Sequence, residues 1–257
     1  MTANNKKRFS PSVIKALKYY VYIYSHPITE EIFYVGKGKG NRVFAHLEDT
    51  KESQKVLYLK ELRSQNLAPK IEILIHGLED EKAALRVESS IIDLIGINNL
   101  TNKQNGYKSA TYGRMTIEQL NSAYNREKIT IDIPAILIRI SQAFRYTMSE
   151  VELYDYTRGY WRLNPQKALG AKFGFAIYGG IIQEVYEILK WFEAGTTFSV
   201  RKNNENIKRK ANEGMKDRYE FIGNIAPEAI RQQYKYKSVE HYFKQGNSNP
   251  IMYANVV

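Results

Sequence analysis

Between Tyr19 and Gly40 the chain reads YYVYIYSHPITEEIFYVGKGKG, two runs in which large side chains recur with a period of two. That is the period of a strand with two distinct faces, and tyrosine, valine and isoleucine favour extended backbone. Tyr20, Tyr22 and Tyr24 fall on one face of the first run, Val21 and Ile23 on the other. KYYVYIYS (18–25) and EEIFYVG (30–36), joined by His26-Pro27-Ile28-Thr29, are expected to pair as a hairpin. Gly36, Gly38 and Gly40 follow at alternate positions and read as a loop presenting Lys37, Lys39 and Arg42. Asn41 is a good N-cap for a helix that carries Arg42 and His46 on one face. KIEILIHG (70–77) reads as a third strand, and EDEKAALRVESSIIDLIGI (79–97) as a helix with acidic residues in its first turn. The order β-β-α-β-α predicts a compact α/β unit ending near Gly113.

The rest of the chain is patterned differently. TIEQLNSAYNREK (116–128) reads as a connecting helix, and the apolar run IDIPAILIRI (131–140) opens a second unit. SEVELYDYTRGYWR (149–162) starts as a helix capped by Ser149. In KFGFAIYGGIIQEVYEILKWF (172–192) two alternating runs are joined by Gly179-Gly180, a two-residue hairpin turn. TTFSVRKNNENIKRKANEGMKD (196–217) is polar and basic and reads as a loop, while RYEFIGNIA (218–226) and NPIMYANVV (249–257) are short strands. The expected fold class is α/β (α+β). The expected domain map is an N-terminal extension (1–17), an α/β domain (18–114), a linker helix (115–130) and a β-rich domain (131–257).

Lys and Arg number 38 against 27 Asp and Glu, a net charge of +11. The surplus lies in both halves and suits a polyanionic partner, nucleic acid ahead of an anionic membrane surface. The absence of cysteine excludes disulfides, thiolate zinc sites and a cysteine nucleophile, and fits a reducing cytoplasm. MTANNKKRFSPS has no apolar signal-peptide core, and no run approaches the length of a membrane span, so a soluble cytoplasmic protein is expected.

Glu88 stands out within its helix. Its neighbours at −4, +3, +4 and +7 are Ala84, Ile91, Ile92 and Ile95, so a carboxylate is centred on an apolar stripe. Desolvation there is costly unless something positive meets the charge. An ion pair with Lys or Arg, a helix turned to bring Glu88 to the stripe's edge, and a metal ion each satisfy it. The glycine–lysine stretch is neither a P-loop nor a dinucleotide fingerprint.

Taken together and in order, residues 20–113 resemble the GIY-YIG nuclease domain, in particular its bacterial and phage members with a YVGKGKGNR loop. The first hallmark stands as Tyr20-Val21-Tyr22, with Tyr20 where the family has glycine, and the second as Tyr34-Val35-Gly36. Lys37, Arg42 and His46 occupy the family's lysine, helix arginine and following histidine, Glu88 its metal-binding glutamate, and Asn102, in LTN, its asparagine. The resemblance implies that Glu88 holds one Mg²⁺ or Mn²⁺ and that Arg42 and Lys37 bind the scissile phosphate. It implies that Tyr22 orients or deprotonates the attacking water, that Tyr34 and His46 position that water or relay its proton, and that Asn102 holds its loop. Lys39 is an added DNA contact.

The second unit resembles the PUA-like group, including its EVE and ASCH branches, through its hairpin with EVYEILKW and the tryptophan-containing segment before it. That resemblance implies a base-stacking pocket of Trp161, Trp191, Tyr156 and Tyr186, with Arg158 and Arg162 on phosphate and the 196–217 loop along the DNA backbone. The implied function is a metal-dependent DNA endonuclease, a restriction or defence enzyme whose C-terminal domain reads modified bases. A homodimer on DNA is one route to double-strand cleavage. The alternatives are a structure-specific or homing-type nuclease and a catalytically silent nucleic-acid-binding protein.

Overall fold

In the computed structural model, which describes residues 8–45, 47, 49, 51–103, 106–141, 144–201, 217–243, 246 and 248–256, the chain divides into two units, Met1–Arg114 and Met115–Val257. The first is built on an antiparallel sheet of order β2-β1-β3, from β1 (Tyr19–Ser25), β2 (Ile32–Lys39) and β3 (Lys70–Leu78). The central strand is buried on both faces. Tyr20, Tyr22 and Tyr24 are 0% exposed and pack with Val43, Leu59 and Leu62. Val21, Ile23 and Val35 face the other way, onto Ala84, Ile92 and Leu100. A short α1 (Pro11–Leu17), which the sequence reading had left within an extension, adds Leu17 to the tyrosine side.

The glycine–lysine stretch is strand rather than loop. β2 continues through it, pairing Gly36 with Tyr22 and Gly38 with Tyr20. The reason is the tyrosine rings. A Cβ on Gly36 would lie 2.7 Å from Tyr22 Cζ and 2.9 Å from Tyr34 Cε1, and one on Gly38 would lie 2.6 Å from the Tyr20 ring. The glycines leave space for aromatic side chains laid across the neighbouring strand. Only Gly40, at φ +59°, turns the chain, into the single-turn α2 (Arg42–Ala45). The Asn41 amide oxygen, expected as a cap, instead accepts the Phe9 N–H at 2.8 Å.

α3 (Gln54–Ser64) is a helix the sequence reading missed. Ser53 caps it, and Val56, Leu59 and Leu62 form its buried face. α4 (Glu81–Ile95) covers the opposite face of the sheet, capped by Asp80, whose Oδ1 accepts the Ala83 N–H at 2.7 Å. α5 (Ser109–Tyr112) closes the unit.

The second unit starts with α6 (Ile117–Asn125), held by a capping box between Thr116 and Gln119. Its sheet has the order β5-β8-β7-β6-β4-β9. The strands are β4 (Ala135–Arg139), β5 (Gly159–Arg162), β6 (Phe173–Tyr178), β7 (Ile181–Glu193), β8 (Arg218–Ile225) and β9 (Ile251–Ala254). β4 and β6 run parallel and the other pairings are antiparallel. Gly179 and Gly180, at φ +56° and +79°, make the expected two-residue turn between β6 and β7. Apolar side chains fill both faces, Leu137, Phe175 and Val185 on one and Ile136, Ile138 and Phe221 on the other. α7 (Glu150–Arg158), α8 (Pro165–Leu169) and α9 (Glu228–Tyr234) complete the unit. Among the described residues no helix is long and apolar enough to cross a membrane.

Candidate active site

β2 is an edge strand, so its outward backbone groups need partners from outside the sheet. They find them in sequence along the strand. The Phe33 carbonyl accepts the Thr101 N–H at 2.7 Å and the Thr101 hydroxyl at 2.8 Å. Asn102 pairs with Val35 twice: its Oδ1 accepts the Val35 N–H at 3.1 Å and its Nδ2 donates to the Val35 carbonyl at 2.7 Å. The Lys37 N–H then donates to Glu88 Oε1 at 3.0 Å. Leu100, buried against Val35 and Ile92, anchors the Leu100-Thr101-Asn102 segment. Asn102→Ala removes both bonds to Val35, and a loss of about 2 kcal/mol is expected. It would be read as a lowered urea midpoint with an unchanged slope.

This edge resolves the oddity of Glu88. Among the described residues no ammonium or guanidinium forms an ion pair with it; a backbone amide meets it instead. Burial pushes the carboxyl above the ordinary glutamate range, and the Lys37 amide with the charges of Lys37 and Arg42 pulls it part of the way back.

The Glu88 charge acts on one of two phenols that pack together, Tyr34. Tyr22, 0% exposed, and Tyr34 share a hydrogen bond, with ring centroids 6.1 Å apart. Burial pushes both above the usual phenol range; their mutual hydrogen bond raises Tyr22 further and lowers Tyr34. Tyr34 is therefore the readier of the two to ionise. It is also the one that lines a cavity of about 540 Å³, together with Glu88, Asn102, Lys55 and Lys103. The other expected residues are more dispersed. Lys37 pairs with Glu81 in the first turn of α4. Arg42 is exposed, with its charge acting on Tyr22, Tyr34 and Glu88. Lys39 is exposed, its ammonium 4.8 Å from the centre of the Tyr19 ring. His46 lies outside the described residues.

Among the described residues no group of three or more His, Asp or Glu side chains could hold a metal ion. That composition does not suit zinc or calcium held by a full protein cage. A single partly buried carboxylate with one oxygen bonded to an amide does fit a small hard cation that keeps most of its water.

Residues 10–128 match the family model described as a LEM-3-like GIY-YIG domain. The N-terminal half of the chain belongs to the GIY-YIG nuclease superfamily. The chain is 36% identical over 86 residues to the ankyrin repeat and LEM domain-containing protein 1 homolog of Caenorhabditis elegans, 29% of this chain and 12% of that relative. The chain thus spans about 12% of that protein's length. No solved structure matches this chain. In the GIY-YIG domain Tyr20 takes the place of the first hallmark glycine, and Gly38 opposite makes room for its ring.

In the second unit the structure separates the residues named for DNA. Arg158 is 3% exposed: its Nε donates to Asp155 Oδ1 at 2.6 Å, its Nη1 to the Thr197 hydroxyl at 2.6 Å and its Nη2 to the Phe198 carbonyl. That guanidinium holds the chain together rather than facing a phosphate. Tyr186 is buried in the core, and Trp191 packs on Phe221 with its Nε1 donating to the Ala168 carbonyl at 3.0 Å. Arg162 is exposed at the end of β5. Tyr156 and Trp161 do share a cavity, of about 560 Å³, with Tyr160, Arg139 and Arg201, which sequence reasoning missed. Arg201 lies 4.7 Å from the centres of both the Tyr156 and Tyr160 rings. Residues 196–201, expected as loop, are pinned by buried carboxylates: Glu220 accepts the Thr196 and Thr197 amides, and Asp155 the Ser199 hydroxyl and Val200 amide. Residues 202–216 lie outside the described residues.

Proposed function

We propose that this protein is a metal-dependent DNA endonuclease whose phosphodiester hydrolysis takes place in the GIY-YIG domain. The observation that carries the reading is the convergence of Glu88, Tyr34 and Asn102 at the β2 edge and on the wall of one cavity, with Tyr22 buried against Tyr34. Glu88 would hold one Mg²⁺ or Mn²⁺, which would supply Lewis-acid polarisation of the phosphate and a more acidic water. Tyr34, after giving its own proton to solvent, orients the attacking water and accepts its proton, and Tyr22 fixes the Tyr34 hydroxyl from behind. Arg42 and Lys37 meet the phosphate charge. For Lys37 this means leaving Glu81, which is 58% exposed, and exposed ion pairs contribute little to stability. Asn102 keeps β2 at the height Glu88 requires. One such site cuts one strand, so double-strand cleavage requires two copies on DNA or two successive nicks.

The second unit, in this reading, selects modified DNA and makes the protein a restriction or defence nuclease. Its 560 Å³ cavity supports this: among the described residues three aromatic side chains and two arginines line it, and none of those lining residues is acidic. Stacking faces with nearby cations suit a nucleotide taken out of the helix. The test is digestion of plain and cytosine-modified DNA with Mg²⁺ and with Mn²⁺. Cleavage that needs the metal and favours modified DNA is expected. Equal cutting of both substrates overturns the reader, preference for branched DNA moves the target to structure, and binding without any cutting leaves only a nucleic-acid-binding protein.

A further inference from the structure

Lys55 is in an unfavourable place for a lysine. It is the second residue of α3 after the cap Ser53, in a first turn with no acidic residue, so its charge opposes the helix dipole. Its side chain is only 9% exposed, although lysines are almost always kept in water. Nothing in the packing of α3, whose apolar contacts come from Val56, Leu59 and Leu62, calls for an ammonium at this point. Among the described residues its contacts include two in the site: Lys55 Nζ sits 4.9 Å from the centre of the Tyr34 ring and 2.8 Å from Asp49 Oδ2, on the wall of the cavity that Glu88 and Asn102 also line.

We propose that Lys55 is a positioning residue of the nuclease site, held by Asp49, which acts through Tyr34 by keeping a positive charge on the face of its ring; the proposal rests on the nuclease reading above. A cation on the ring face interacts more strongly with the electron-rich phenolate than with the phenol. Lys55 therefore favours the form of Tyr34 that has given its own proton to bulk water. That phenolate takes a proton from the attacking water, whose oxygen bonds to phosphorus as the bond to the leaving sugar oxygen breaks, and the leaving oxygen takes a proton from solvent. Among the described residues, the charged and titratable groups around Tyr34 include Tyr22 and Tyr24 from β1, Arg42 from α2, Glu88 from α4, and Asp49 and Lys55. Glu88 and Asp49 oppose ionisation of Tyr34, and Arg42 favours it from the other side. Lys55 is the cation that adjoins the ring itself.

The test is single-turnover nicking of supercoiled DNA by the full chain, as a function of pH, for wild type, Lys55→Met, Lys55→Arg, Tyr34→Phe and the Lys55→Met/Tyr34→Phe double variant. Lys55→Met is expected to slow nicking about 10-fold near neutral pH and to move the alkaline rise of the rate to higher pH, while Lys55→Arg keeps most of the rate. In the Tyr34→Phe background the same change is expected to cost less than about 2-fold, because the group it acts through is gone. If Lys55→Met does not fold, Lys55→Gln takes its place in every arm. A Lys55 effect of equal size in both backgrounds, or a rate loss that follows the melting temperature with an unmoved pH profile, overturns the proposal while the nuclease reading stands. A wild-type chain that does not nick overturns both.

Discussion

Glu88→Gln is expected to lower nicking about 10³-fold while the melting temperature stays at or above that of the wild type. The amide oxygen of glutamine can still accept the Lys37 N–H, so the seal on β2 survives. Only the charge goes. That charge is unfavourable to the fold: because burial raises the Glu88 pKa above its unfolded value, the ionised form is the destabilising one, and its cost is present at neutral pH and disappears as pH falls. A neutral side chain removes the cost at every pH. Glu88→Ala separates the two roles, with the same loss of activity but a further loss of about 1–3 kcal/mol as the Lys37 N–H is left without its acceptor. Nicking assays and thermal melts on the two variants decide it. A glutamine variant that still cuts removes Glu88 from the chemistry, and one that fails to fold contradicts its place on the strand edge.

The second large effect is on stability. Gly38→Ala and Gly36→Ala are each expected to destabilise the GIY-YIG domain by about 3 kcal/mol. The added methyl would stand 2.6 Å from the Tyr20 ring in one case and 2.7 Å from the Tyr22 ring in the other, with a β-strand fixing both partners. Buried rings with 0% exposure cannot swing aside. Gly40→Ala provides the contrast, since nothing lies within 4 Å and only the positive φ resists it, for about 1 kcal/mol. Gly36→Ala should in addition abolish nicking, because it displaces both Tyr22 and Tyr34. Urea midpoints order the three variants, and a Gly38→Ala midpoint equal to that of Gly40→Ala would refute the ring contact.

The hairpin could be read from the sequence because a period of two is a local property, and the α4 helix because its cap and apolar stripe are local as well. Glu88 was visible as a carboxylate out of place. Its partner was not, since a backbone amide leaves no mark in a sequence. The glycines of β2 were read as loop for a related reason: glycine weakens a strand, and the space a tyrosine needs is apparent only once the two strands are in register. α3 was passed over although Ser53 and the Val56, Leu59, Leu62 spacing announce it. Lys55, placed by that helix, was missed with it. In the second unit an arginine beside aromatic residues suggests a phosphate contact at Arg158, yet Asp155 three residues earlier is the signal of a buried pair. Arg139, Tyr160 and Arg201 meet from separate segments, and no local pattern joins them.

An unpaired strand edge invites another strand, from a second copy or from an unfolding neighbour, and proteins that leave one open tend to aggregate. On β2 that vacancy is closed by Thr101, Asn102 and Glu88, and the last two are also the residues that the GIY-YIG resemblance assigns to chemistry. The same atoms thus guard the sheet against self-association and shape the cavity. Asn102→Ala, which takes both partners from Val35, is therefore expected to add self-association to its loss of stability, whereas Glu88→Gln is not.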